Sequence, residues 1–165
     1  MQLKRVLKHL WVSELTVRRL FPVALLNSIS QTIAECEKLH NGEIRFAVEN
    51  ALDFFSLVRG LQARERALQV FSEMHIWDTE ANNGVLIYLL LADNDVEIVA
   101  DRGINSKVSP EEWENICKNM EESFRKKQFI DGVLSGIKEV SSLLQKYYPG
   151  TSDMNNELPD EPLIL

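Results

Sequence analysis

Eight apolar residues in a row, Val85 to Ala92, follow the polar turn Asn82-Asn83-Gly84. In an extended chain Val85, Ile87 and Leu89 point one way and Leu86, Tyr88 and Leu90 the other, so neither face suits water. A strand of this kind belongs in the middle of a sheet with helices on both sides. Asp93-Asn94 then suits the left-handed positions of a tight turn. Beyond it, Asp95 to Ala100 alternates polar and apolar residues, as a returning antiparallel strand with one covered face does.

The neighbouring segments supply the rest of a sheet. Glu43 to Val48 also alternates, with Ile44, Phe46 and Val48 on one side, and reads as a strand. From Gln62, the residues Ala63, Ala67, Val70, Phe71 and Met74 share one helical face, and His75 to Thr79 closes that helix. Strand, helix and strand make a crossover, so Glu43–Val48 and Gly84–Leu91 are expected to run parallel. Between them, residues 49–60 fit either a loop with aromatic anchors or a short helix. Ser109-Pro110-Glu111-Glu112 is a helix start with a Ser cap, Pro at the first position and Glu three residues after the cap. A last helix follows with Ile130, Val133, Leu134, Ile137, Val140 and Leu144 at core spacing. Gly132 and Gly136 inside it point to close packing on the sheet or on another helix. The predicted architecture is α/β, a three-layer α/β/α sandwich with a small mixed sheet, a parallel βαβ unit plus an antiparallel hairpin.

At 165 residues the chain is about one domain, large enough for a core without disulfides or metal. The domain proper is expected at 22–150, with helices at 23–40, 62–74 and from Pro110 onward. Residues 1–21 read as a basic amphipathic helical extension, with Leu3, Val6, Leu7, Leu10 and Trp11 at helical spacing beside Lys4, Arg5 and Lys8. Such a helix either attaches to an anionic membrane surface or a partner, or folds back on the domain, which is the favoured reading. Residues 151–165 hold Asp153, Glu157, Asp160 and Glu161, two prolines and no Lys or Arg, the composition of a disordered acidic tail. No apolar run has the form of a secretory signal or the length of a membrane span, so the expected location is cytoplasmic. Cys36 and Cys117 fall in helical patterns and read as reduced, buried thiols. The net charge of −7 excludes a general nucleic-acid binder, whose affinity comes from Lys and Arg on phosphates.

The topology directs the search for chemistry. An antiparallel hairpin returns Asp101-Arg102-Gly103 beside Asn82-Asn83-Gly84, and Asp78 and Thr79 enter the same neighbourhood. An aspartate, an arginine, an asparagine amide and loop N–H groups at one rim can hold a divalent cation, with Asp78 and Asp101 as its ligands, or a small anion such as phosphate. The same residues can also be a salt-bridge and turn-capping cluster, which is the reading spacing alone favours. Asp93 and Asp95 mark the opposite rim, where acidic turn tips are usually just solvated. His9, His40 and His75 lack metal-ligand spacing, and no Gly-rich phosphate loop is present.

In order and spacing, Trp77, Asn83-Gly84-Val85-Leu86-Ile87, Val96-Glu97-Ile98-Val99-Ala100-Asp101-Arg102-Gly103 and Phe129-Ile130-Asp131-Gly132-Val133 resemble the TPM domain. That family is named partly for a thylakoid-lumen acid phosphatase and a photosystem II repair factor. The resemblance spans roughly residues 44–148 and implies an α/β/α sandwich with a divalent-cation site at its loops, Ca²⁺ or Mg²⁺, and phosphatase activity in some members. The family pattern has a glycine-aromatic-glycine turn followed by an acid after the second hairpin strand; here Asp101-Arg102-Gly103 stands in that place, with Asn105 for the acid. The pattern's Asp-Arg before that strand is Asp93-Asn94. The reading that results is a TPM-like binding or accessory module holding an unidentified protein or small anionic ligand at Asn83, Gly84, Asp101, Arg102 and Gly103. A metal-dependent phosphomonoesterase and a peripheral membrane accessory protein are the alternatives.

Overall fold

In the computed structural model, residues 2–12, 14–150 and 156–165 are described. Two short helices, α1 (Gln2–Trp11) and α2 (Glu14–Leu20), precede the longer α3 (Val23–Glu37). Strand β1 (Glu43–Glu49) leads through α4 (Phe54–Val58) and α5 (Ala63–Glu73) to β2 (Gly84–Leu90). The hairpin partner β3 (Asp95–Ala100) is followed at once by α6 (Arg102–Asn105), then α7 (Pro110–Arg125), α8 (Phe129–Tyr147) and a final strand β4 (Leu163–Ile164).

The sheet order is β3-β2-β1-β4. Glu43 pairs with Gly84 and Glu49 with Leu90 in the parallel β1–β2 ladder, while Val85 pairs with Ala100 and Leu90 with Asp95 in the antiparallel β2–β3 ladder. The expected α/β sandwich with a mixed sheet is therefore what the chain forms. All seven residues of β2 are buried, as a strand apolar on both faces requires. On one face Phe46, Ile87, Leu89 and Ile98 pack with α3, α7 and α8 residues such as Ile29, Trp113 and Ile137. On the other, Ala47, Leu86, Tyr88 and Val99 pack with Leu57, Ala67 and Val70 of α4 and α5. Each fully buried Leu, Ile or Phe contributes about 1.5–3 kcal/mol of transfer free energy.

Local signals explain the helix ends. Ser109 Oγ accepts from Glu112 N at 3.3 Å while Ser109 N donates to Glu112 Oε2 at 3.0 Å, the reciprocal cap expected of that sequence. The ambiguous segment after β1 is a short helix, because the Asp53 carboxylate accepts from Phe55 N and Ser56 N. Gly136 sits where a Cβ would come within 2.3 Å of Met120 Sδ, so α8 packs closely on α7. Cys36 and Cys117 are free thiols, Cys36 buried and Cys117 half-buried; burial pushes the Cys117 thiol up to about 12, with Glu97 adding to it.

Both ends of the chain depart from expectation. The N-terminal extension folds back with Arg5 and His9 facing the domain and Val6 packed against the core, while Leu3, Leu7, Leu10 and Trp11 face outward. Asp93 is correspondingly no solvated turn tip, since it receives Arg5 and His9. At the other end, residues 156–165 are not a disordered tail. Leu163 and Ile164 pair with Ala47 and Val48, and both Glu43 carboxylate oxygens accept backbone N–H groups, from Glu157 at 3.1 Å and Leu158 at 3.0 Å. The remainder of that predicted tail, 151–155, lies outside the described residues, as do Met1 and Ser13. Among the described residues no helix is long and apolar enough to cross a membrane.

Candidate functional site

Parallel pairing puts the starts of β1 and β2 at one end of the sheet, and the antiparallel return brings the end of β3 there too. Asp101 N donates to Gly84 O at 2.9 Å and extends the ladder by one step. The backbone then turns at once into α6, with one carboxylate oxygen of Asp101 accepting from Arg102 N at 2.7 Å. Opposite, Asn82 adopts a left-handed φ of 52° and its carbonyl accepts from Ile104 N at 3.2 Å. Asn82–Gly84 and Asp101–Ile104 are thus tied together, as hairpin geometry requires.

The contact is too close for larger residues. A Cβ on Gly103 would lie 2.4 Å from Asn82 O and 2.8 Å from Ala81 O, and one on Gly84 would lie 2.2 Å from Ile76 O. The obstructing atoms are backbone, which cannot rotate away.

Asn83 is fully buried. Its side-chain nitrogen donates to Asn41 O at 2.7 Å and its backbone N–H donates to Thr79 Oγ1 at 3.1 Å. That fixes the amide with its oxygen turned the other way, and Asn83 Oδ1 has no hydrogen-bond partner. Asp101 Oδ2 is likewise buried and unpartnered. Leaving a buried acceptor unsatisfied costs about 1–3 kcal/mol, and these two oxygens, one at the start of β2 and one just past the end of β3, are both in that state. Arg102 is exposed and spends its Nε on Asn82 Oδ1 at 3.0 Å, leaving the rest of its guanidinium toward solvent. Asp78 is exposed in the turn after α5, with its backbone N–H on His75 O at 2.9 Å. Among the described residues no group of three or more His, Cys, Asp or Glu side chains is placed to hold a metal together. Asn105, in the position of the missing acid, is exposed in the last turn of α6 and donates its N–H to Asp101 O at 2.8 Å.

Beside the rim opens a cavity of about 650 Å³ lined by Glu37, Glu43, Glu80, Glu157, Asp160 and His40 among others. It shares Asn41 with the rim. Burial, reinforced by the charges of Glu43 and Asp160 and resisted by an N–H from Ile44, pushes the Glu37 carboxyl up to about 9. Burial drives His40 down to about 4, and its Nδ1 meets the Gly42 backbone, so it is a neutral core histidine as its spacing implied. This cavity is not legible in the sequence, because part of its wall is Asn156, Glu157 and Asp160, in a stretch with the composition of a tail. One signal was present: Glu43, Arg45 and Glu49 alternate along one face of β1, all three are buried, and charged residues repeated on one face of a strand call for cover.

At the opposite end of the sheet Asp93 anchors α1 through Arg5 and His9. Burial works to raise the Asp93 carboxyl, but hydrogen bonds from Arg5 and His9 prevail and hold it below the usual range. Asp95 is pushed up to about 6 by burial and by Glu97, Glu121 and Asp93.

The TPM domain family model matches residues 19–143. The BA42 protein from the psychrophilic bacterium Bizionia argentinensis has a similar solved structure, with a TM-score of 0.76 at 30% identity, covering 86% of this chain and 93% of that one. The N-terminal domain of a P. gingivalis protein superposes with a TM-score of 0.61 at 15% identity over 80% of this chain and 83% of that one, a likeness of fold. Comparison with curated proteins gives no match.

Proposed function

Starting from the fact that this chain belongs to the TPM domain family, we propose that it is a binding module whose ligand sits at the rim formed by Asn83, Gly84, Asp101, Arg102 and Gly103. The observation that carries this is the pair of buried, unpartnered oxygens, Asn83 Oδ1 and Asp101 Oδ2. A neutral amide oxygen and a carboxylate oxygen suit a hard divalent cation, Ca²⁺ or Mg²⁺, completed by water or by a ligand's own oxygens. Asp78 can add a carboxylate from the adjoining turn. Arg102, exposed and next in the chain to Asp101, would then meet the anionic part of a small ligand or partner. Gly103 lets its segment approach the Ala81 and Asn82 backbone closely enough to make the rim, and Gly84 lets the start of β2 lie against the Ile76 carbonyl.

A second reading, hydrolysis of a phosphomonoester, draws on Arg102 as the phosphate-orienting group and on a cation held by Asp101 and Asp78. The cation would polarise the phosphoryl oxygen. Binding is favoured over hydrolysis because Asn105 replaces the acid of the family pattern.

Titration of Ca²⁺, Mg²⁺ and inorganic phosphate into ¹⁵N-labelled protein tests both. Amide shifts concentrated at Asn83, Asp101 and Arg102 are expected with the cation, and phosphate shifts at Arg102 only once the cation is present. Absence of any response at this end of the sheet would remove the proposal. Turnover of a phosphomonoester that is lost in both Asp78→Ala and Asp101→Asn would establish the hydrolytic reading instead.

A further inference from the structure

Helix α1 is docked inside out. Arg5 donates through Nε and Nη2 to Asp93 Oδ2 at 3.0 and 2.8 Å and through Nη1 to Leu61 O at 2.8 Å. His9, almost wholly buried, accepts from Leu52 N on Nδ1 at 3.0 Å, which puts its proton on Nε2, 3.1 Å from Asp93 Oδ1. These contacts, with Val6 of the same helix packed against the core, fix α1 and leave most of its apolar side chains outside. The face turned to solvent is its apolar one: Leu3, Leu7, Leu10 and Trp11 recur at steps of four, three and one, with Leu3 73% and Trp11 86% exposed. Leu15 of α2 is exposed as well, and α4, which packs against α1, adds exposed Phe54, Phe55 and Val58.

Water-facing leucines scattered singly mean little, but a continuous apolar stripe held outward by buried polar contacts needs an occupant. Its charge says which. Lys4 and Lys8 are exposed along one border of the stripe, Arg18 and Arg19 are exposed on α2, and the only acid in the first twenty residues is Glu14, in a chain of net charge −7. A second copy of this chain would bring the same lysines face to face, which is repulsive. An anionic lipid headgroup layer would meet the lysines with opposite charge while the leucines, Trp11 and the phenylalanines enter the acyl boundary.

We infer that the α1–α4 face is a docking surface for an anionic bilayer, with α1 lying in the interface plane. This goes beyond the binding proposed at the rim, which lies at the other end of β2, and neither depends on the other.

The test is flotation of the full chain with vesicles of phosphatidylcholine alone and of phosphatidylcholine mixed with phosphatidylglycerol. Binding to the mixed vesicles only is expected. Lys4→Gln with Lys8→Gln should weaken it about 30-fold, the effect of two lysines at an anionic surface, and Leu7→Glu with Trp11→Glu should abolish it. All four side chains are exposed, so both double variants should keep the wild-type circular dichroism. Failure to float with the mixed vesicles, equal binding to neutral ones, or binding untouched by Leu7→Glu with Trp11→Glu would overturn the inference. So would sedimentation showing a dimer that the same double variant dissociates, since the face would then belong to a second copy.

Discussion

Arg5 and Asp93 stand 88 positions apart in the chain and meet through two nitrogens on one carboxylate oxygen, at 3.0 and 2.8 Å. That contact joins the first helix to the turn between β2 and β3. It converts what reads as an acidic hairpin tip into an anchor.

The anchor should be severed by Asp93→Ala. Arg5 would then lie part-buried and His9 buried without their partner, and the loss should be about 1–3 kcal/mol for groups hydrogen-bonded to a charged acceptor. Amide exchange of residues 3–11 should rise toward the unprotected rate while β2 stays protected. Because the folded Asp93 carboxyl is held low, this stabilisation is complete above the unfolded value of about 3.9 and disappears as pH falls through the lower folded one. In the wild type, α1 should therefore lose protection only in strong acid.

Glu37 titrates in the opposite sense. Its folded carboxyl is pushed up to about 9, so between about 4.5 and 9 the native state holds a proton that the unfolded chain has released, and stability falls as pH rises. Glu37→Gln keeps an oxygen for the Ile44 N–H and removes the titration. Urea unfolding should show the variant more stable by roughly 3–5 kcal/mol at pH 8, with the gain vanishing near pH 4.

Gly103→Ala should distort the rim without touching any ligand group. The added Cβ would press on the carbonyls of Asn82 and Ala81, and forcing them apart should cost about 1–3 kcal/mol. The change should also separate Arg102 from Asn82, visible as loss of the Ile104 amide's protection. An alanine tolerated with wild-type stability and unchanged Arg102 and Ile104 shifts would show the two strand ends to be less tightly joined than described.

Tyr88→Phe probes the buried end of the α5 face. Tyr88 donates to Glu49 Oε2 at 2.6 Å, and Arg66 Nε reaches the same oxygen at 2.9 Å. Burial, with the Glu49 carboxylate next, drives the Tyr88 hydroxyl far above its ordinary value, so it is a donor at every accessible pH. Removing it should cost about 1–2 kcal/mol with no change in fold, read as a shift in the urea midpoint at constant slope.

The sheet was legible because its signals are local and periodic. Val85 to Ala92 has no polar face, and a one-residue slip in β3 would expose Val96 and Ile98, so both position and register follow from the sequence. What escaped was set by partners distant in the chain. Helix α6 is only four residues long and includes Gly103; it exists because Asp101 caps it and Asn82 receives its Ile104 N–H. Residues 156–165 have a disordered composition, yet Glu43 holds their backbone and Leu158 and Leu163 pack against the core. For α1, periodicity identified the apolar stripe and the fold-back but not which face turns inward, since that depends on Asp93. At the rim, the sequence brought Asn83, Asp101 and Arg102 together through hairpin geometry alone. It could not show which oxygen of Asn83 or Asp101 lacks a donor, because that follows from where Asn41 O and Arg102 N happen to lie.

The most direct measurement of the rim is the Asn83 side-chain amide signal followed through a Ca²⁺ titration, in the wild type and in Asp101→Asn. An asparagine at 101 keeps an oxygen to cap α6 but puts an NH₂ where Oδ2 was, which cannot ligate a cation. Saturable displacement of the Asn83 signal in the wild type, reduced at least about tenfold in affinity in the variant, is the predicted result. An Asn83 signal that stays in place at millimolar Ca²⁺, or that moves equally in both proteins, would contradict a cation site at these two oxygens.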